Sequence, residues 1–152
     1  WGRLADGHEK VNSAISTTQA TDITNAGNQF VSVLGDWTTA DSDGSLRSTL
    51  WSKTDGTGIC PVGFRVPTSA EVTSEEITSS DTAFNNLKFP IAGARNLGTG
   101  HLDGSGEWAD VWTSSSSTMP GKSYYLNFEG IEVNVDFEYR ADGRSVRCIK
   151  GN

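Results

Sequence analysis

The stretch Asn96-Leu97-Gly98-Thr99-Gly100-His101-Leu102-Asp103-Gly104-Ser105-Gly106-Glu107-Trp108-Ala109-Asp110 gathers amide and carboxylate oxygens, glycines and an indole ring in one loop-like segment. A hard cation such as calcium takes about six to eight oxygen ligands, and a loop supplies them when glycines let backbone carbonyls turn inward beside the side chains. Asn96, Asp103, Glu107 and Asp110 are therefore the candidate metal ligands and calcium the candidate ion. The other reading is a solvated acidic loop surface. Asp41-Ser42-Asp43-Gly44-Ser45 also alternates oxygens in the manner of an EF-hand opening. No Glu stands at the twelfth position of such a loop, so an EF-hand is rejected and a polar turn remains.

Aromatic faces are the second resource, since a flat ring buries area against a sugar or a proline at low entropic cost. Of the large aromatics, Trp37, Trp51 and Trp112 are assigned to the core, and Trp108 and Tyr139 are kept as ligand contacts. Arg140 and Arg144 flank Asp142 near a turn. Such guanidiniums either recognise a ligand carboxylate or pair with neighbouring acids. The candidate ligand-binding set is thus Asn96, Asp103, Glu107, Trp108, Asp110, Tyr139 and Arg140. No catalytic residue is assigned. His8 and His101 are the two histidines, and Gly-x-Ser-x-Gly, His-Glu-x-x-His and phosphate-loop patterns are all lacking. A glycosidase-like pair of carboxylates stays open, because any Asp and Glu can meet in three dimensions.

These groups need elements to hold them. Thr68, with Glu71 three residues later, makes a capping box and predicts a helix over 69–77. Ser79-Ser80-Asp81 caps a second through Leu87. Before them, 9–25 reads as loop, 30–34 as a short strand or turn, 38–48 as a polar run, and 59–66 as a segment of strand character. After them, 89–95 and 108–113 read as strands and 114–121 as loop. Residues 124–128 and 131–137 form a hairpin about Glu129-Gly130, with Ile131, Val133, Val135 and Phe137 alternating against Glu, Asn and Asp. Asp142-Gly143 turns into a final strand over 145–149 that carries Cys148 into the sheet. The expected class is α+β, with short helices, long ordered loops and a late antiparallel sheet.

At 152 residues the chain suits one domain over 1–152. A formal charge of -7 and a pI of about 4.7 oppose nucleic acid and anionic lipid as partners. No run approaches the ~20 apolar residues of a membrane span, so membrane insertion is not expected. Cys60 and Cys148 are too far apart for a clustered metal site. A disulfide, which requires an oxidising compartment, is the economical reading, with two buried thiols as the alternative. A start at Trp1 fits a domain excised from a larger exported precursor.

Four stretches carry a resemblance: Trp1-Gly2-Arg3 through Asp6-Gly7-His8; Ile59-Cys60-Pro61-Val62-Gly63-Phe64-Arg65-Val66-Pro67-Thr68 with Glu71; Ala92-Gly93-Ala94-Arg95 with Trp112-Thr113-Ser114; and Ser145-Val146-Arg147-Cys148. In this order, spanning nearly the whole chain, they resemble the Fibrobacter succinogenes major paralogous domain family, which is similar to C-type-lectin-like ligand-binding modules. The resemblance implies a non-catalytic, extracellular domain of a bacterial cell-surface adhesin, monomeric within its larger protein, that recognises a peptide or glycan with calcium in or near the site. It also implies a strand before Trp1, so the domain is expected to lack that strand here, and Val72 stands where the family commonly has Trp. The Glu-Pro-Asn, Gln-Pro-Asp and Trp-Asn-Asp triplets of sugar-binding lectins are missing, so their carbohydrate mechanism does not transfer. Two other functions remain to be weighed, a structural spacer and a carbohydrate-active enzyme.

Overall fold

A computed structural model describes residues 1–151. The first third of the chain is loop held by small pieces of regular structure. β1 (Ile15–Ser16) pairs parallel with β2 (Phe30–Val31), and α1 (Ser45–Trp51) follows. β3 (Phe64–Arg65) leads into α2 (Ser69–Ser74) and α3 (Ser80–Leu87). β4 (Ala94–Arg95), β5 (Leu102–Asp103), β6 (Ala109–Ser116), β7 (Lys122–Glu129), β8 (Glu132–Tyr139) and β9 (Gly143–Val146) build a six-stranded sheet in the order β5-β4-β9-β6-β7-β8. β10 (Ile149–Lys150) returns to pair antiparallel with β3, next to the Cys60–Cys148 disulfide. The α+β class and the disulfide are as expected.

β6 organises the core because both of its faces are covered. Successive strand side chains point to opposite faces. Ala109 and Val111 pack with Leu126, Phe128, Val72 and Ala83 in the cluster under α2 and α3. Trp112 joins Trp1, Trp51, Cys60 and Val66 in a second cluster. A third gathers Val31, Trp37 and Ala141.

Both capping boxes are present. The Thr68 hydroxyl accepts from the Glu71 amide at 3.2 Å while the Glu71 carboxylate accepts from the Thr68 amide at 2.8 Å, and Ser79 with Thr82 repeats the motif at α3. The Arg65 guanidinium, at 2.5 Å, is the chief reason the Glu71 carboxyl sits at about 2, well below its ordinary value. That contribution to stability is full above the ordinary carboxyl range and is lost as pH falls toward 2. Thr68→Ala is expected to cost about 1 kcal/mol in a urea titration, the usual worth of a helix cap. A change within error would mean that Arg65 and Glu71 hold the turn unaided.

Several expectations are corrected. The sheet is mixed rather than antiparallel, since β9 runs parallel to β6, with Val111 opposite Ser145 and Trp112 opposite Val146. Residues 45–48, read as the end of a polar run, open the helix α1, which continues to Trp51. α2 stops at Ser74, short of residue 77. β6 continues to Ser116: Thr113 and Ser114 are buried, the Ser114 amide donates to the Pro67 carbonyl, and after this irregularity pairing with β7 resumes at Ser116 opposite Ser123. Ile131 sits in the hairpin turn, 88 % exposed, while Val133 and Val135 pack inward as their alternation requires. Cys148 falls between β9 and β10, not within a strand.

Candidate functional site

A loop-rich fold has many buried carbonyls without a ladder partner, and each must find a donor. Here arginines supply them, since a guanidinium carries five N–H groups in a fixed fork. Arg95 donates to the carbonyls of Gly100, His8, Lys10 and Ser13, and to the Ser13 hydroxyl at 2.6 Å. Arg3 donates to Gln29, Ala26 and Gly27 carbonyls and to Asp6 at 2.8 Å. Arg47 is fully buried and forks onto both oxygens of Asp36 at 2.6 Å, with Asp41 taking its Nε at 3.0 Å. Arg140 reaches Asp36 at 3.1 Å and the carbonyls of Ser42, Asp43 and Lys122. The guanidiniums also stack on rings: Arg47 lies 5.3 Å from the Trp1 centroid and 5.2 Å from that of Trp37.

Between the N-terminal segment, β4 and β9 this framework leaves a cavity of about 440 Å³. Its apolar wall includes Trp1, Trp51, Trp112, Ile59 and Val146, and exposed Val11 and Leu102 stand at its rim. Such a volume falls in the range of small-ligand and side-chain pockets. The alternation that turns Trp112 toward the cavity turns Asp110 the same way. Arg144, from β9, also lines the cavity; its guanidinium lies 3.9 Å from the Tyr125 centroid and 5.1 Å from that of Trp112. Nη2 donates to Asp142 at 3.0 Å, and Nη1 forms a close ion pair with Asp110. Neither Nε nor Nη1 has a hydrogen-bond partner, although the side chain is only 6 % exposed. Burial works against both charges of the Arg144–Asp142 pair, pushing the arginine down to about 9 and the carboxyl up to about 6.

The residues expected to bind calcium are divided. Asn96 accepts from the amides of Gly98 at 2.8 Å and Thr99 at 3.1 Å, capping its own loop. Asp103 is exposed in β5 and Glu107 exposed in the following turn. Asp110 is buried and accepts from the Asn127 amide at 2.8 Å besides meeting Arg144. Asp103, Glu107 and Asp110 do not bring their oxygens within 4.8 Å of one another; among the described residues the trio that does is Asp6, His8 and Glu9. There His8 Nδ1 meets Asp6 at 2.8 Å, a contact that orders the turn after Arg3. Trp108 is half-buried with its ring over Gly104, where a Cβ would collide with the indole. Tyr139 is half-buried beneath the Lys122 ammonium, 4.5 Å from its ring centroid.

Arg140, counted among the ligand contacts, lines the cavity but is 1 % exposed, with its guanidinium engaged by Asp36 and backbone carbonyls. The alternative reading of Arg140 and Arg144 as partners of neighbouring acids is the one the structure bears out. Gly44 has a φ of 80°, and a Cβ there would meet the Arg140 guanidinium at 2.7 Å, so the close approach requires glycine. Sequence reasoning missed the cavity, because its walls come from positions 1, 51, 59, 112 and 146. The Trp-Gly-Arg and Ser-Val-Arg-Cys motifs, one at each end, were the available signal.

Among the described residues no hydroxyl or thiol hydrogen-bonds a histidine ring, and no helix is long and apolar enough to cross a membrane. Comparison of the chain with protein-family models, with curated proteins and with solved structures finds no match.

Proposed function

We propose that this chain is a non-catalytic ligand-binding domain working outside the cell, with a C-type-lectin-like arrangement and an adhesin's role of holding a surface peptide or glycan. The observation that carries the reading is the 440 Å³ cavity, whose lining is mainly apolar, between the N-terminal segment, β4 and β9. Its ion-paired arginines serve as scaffolding. The disulfide favours an oxidising compartment, and the resemblance of the four motifs to the surface-protein family favours the cell surface.

Ala5 is exposed at the cavity, so Ala5→Trp plugs the site without disturbing the core. Peptide and glycan arrays probed with the native chain and this variant test the reading: binding lost in the variant is expected. Absence of binding on both arrays would favour a spacer, and turnover of a glycan would favour an enzyme.

Because the carboxylates of the 96–110 loop do not converge, we propose capture of the ligand without calcium held by that loop. Titrating calcium into EDTA-treated protein is expected to give no saturable heat and no rise in melting temperature, since an ion that binds only the native state would raise it. Saturable binding abolished by Asp103→Asn would return the metal to the 96–110 loop.

A further inference from the structure

We propose that the chain carries a second binding site, apart from the cavity described above, for an apolar carboxylate: one aromatic or branched aliphatic group bearing a single carboxylate. The site is a groove of about 320 Å³ between the C-terminal segment and the ends of α2 and α3, and it shares no lining residue with the larger cavity. Its volume stands at the small end of the ligand-pocket range, which suits one apolar group rather than an oligosaccharide.

The floor is apolar and both walls are fixed. Val72 and Phe89 are buried there, and Leu87, Cys148 and Ile149 are half-buried. The Thr68–Glu71 capping box holds α2, which carries Val72, while Leu87 ends α3. Opposite them, the Cys60–Cys148 disulfide ties the C-terminal wall down, as does the pairing of Ile149 with Arg65 and of Lys150 with Phe64. Arg147 and Lys150 therefore stand exposed on a backbone already in place, and a ligand has only their side chains to order.

Charge selects the ligand. Arg3, Arg47, Arg65, Arg140 and Arg144 each pair with an acid, and the Arg95 guanidinium is taken up by backbone carbonyls and the Ser13 hydroxyl. Arg147 is the exception: among the described residues its guanidinium meets neither an acid nor a carbonyl, and the Lys150 ammonium beside it on the groove is equally free. Lys88 adds a third cation, its ammonium resting on the Asn85 carbonyl at 2.9 Å. Of the two acids on the groove, Glu71 is matched by Arg65 at 2.5 Å, which leaves Glu75. The rim is thus net cationic on a chain of formal charge -7. A guanidinium's planar fork meets a carboxylate with two parallel hydrogen bonds, and the apolar body of the ligand then covers the floor. A phosphate brings more charge and a third acceptor oxygen than this rim serves, with Glu75 standing against it.

The test titrates 3-phenylpropanoate and 4-methylpentanoate into the ¹⁵N-labelled full chain at low ionic strength, where exposed charges are least screened. Saturable shifts are expected at 71–75, 86–89 and 147–150, with a dissociation constant of about 1 mM or tighter, the range that ligands of this size reach. The corresponding primary amides, and acetate, which lacks the apolar body, are each expected to bind at least about tenfold more weakly. Arg147→Gln and Lys150→Gln should weaken binding with the melting temperature unchanged, while Glu75→Gln should tighten it. General damage to the fold does not produce those opposite signs. The same chemistry comes as a free acid or as the last residue of a chain, so acetyl-Gly-Ser-Gly-Phe with a free carboxylate is titrated alongside. A peptide bound at least about tenfold more tightly assigns the groove to chain ends, and any smaller ratio assigns it to the free acid. Equal affinity for acid and amide, tighter binding of phenyl phosphate, or no saturable shift with any carboxylate would overturn the proposal. Ala5→Trp plugs the larger cavity and should leave these shifts intact; their loss in that variant would move the ligand to the larger cavity and overturn the second site alone.

Discussion

Arg47→Met is expected to destabilise the protein by about 3 to 5 kcal/mol in urea denaturation, the usual cost of removing one partner from a buried ion pair. Against a total stability of about 5 to 15 kcal/mol, that leaves a marginal fold. Arg47 is fully buried between Asp36 and Asp41 and stacks on Trp1 and Trp37. Methionine keeps most of the volume but removes the guanidinium from the two rings, so the loss reports the stranded carboxylates together with the lost cation–π contacts. Asp36 retains Arg140 at 3.1 Å, but Asp41 loses its guanidinium. Burial pushes the Asp36 carboxyl up, and the Arg47 and Arg140 guanidiniums outweigh it and hold the group below its ordinary value. The native chain therefore keeps this contribution above the ordinary carboxyl range and loses it only as pH falls further. With Arg47 gone the carboxyl rises, so the variant should lose its remaining stability at a higher pH than the native chain. A loss under about 1 kcal/mol, the size of an exposed pair, would show that the cluster does not hold the loops.

The same arginines explain what the sequence did and did not disclose. Signals that are local in the chain were legible: Thr68 with Glu71, Ser79 before α3, the hairpin alternation through Val133 and Val135, and the core places of Trp37, Trp51 and Trp112. α1 was not, because its buried residues are Arg47 and Trp51, and an arginine at an inward position breaks the apolar period by which a helix is recognised. β6 hid its length in the same way, burying Asp110, Thr113 and Ser114. Asp110 looked like a metal ligand because a carboxylate at the end of a glycine-rich loop normally faces water. Its partner Arg144 lies on β9, which reaches it only through the parallel pairing with β6. The cavity was illegible for a related reason: a concave surface depends on which distant segments meet, and no spacing along the chain records that.

Replacing both Cys60 and Cys148 with Ala is expected to remove about 4 to 5 kcal/mol in the chain-entropy model, because the bond closes a loop between residues 88 apart. For a domain of this size each kcal/mol moves the melting temperature by about 2 to 4 °C, so a fall of roughly 10 to 20 °C should follow. The effect should not be confined to the unfolded state. Cys60 is 3 % exposed and packs with Trp1, Trp51 and Trp112, and Cys148 adjoins the β9 segment that lines the cavity. Reduction by dithiothreitol should therefore weaken ligand capture at temperatures where the domain is still folded, as the cavity wall loses its tie to the C-terminal strand. If reduced protein melts lower yet binds unchanged, the disulfide guards the unfolded chain alone and the cavity is held by its arginines. If binding fails before melting, one covalent bond links the compartment in which the domain folds to the site it presents there.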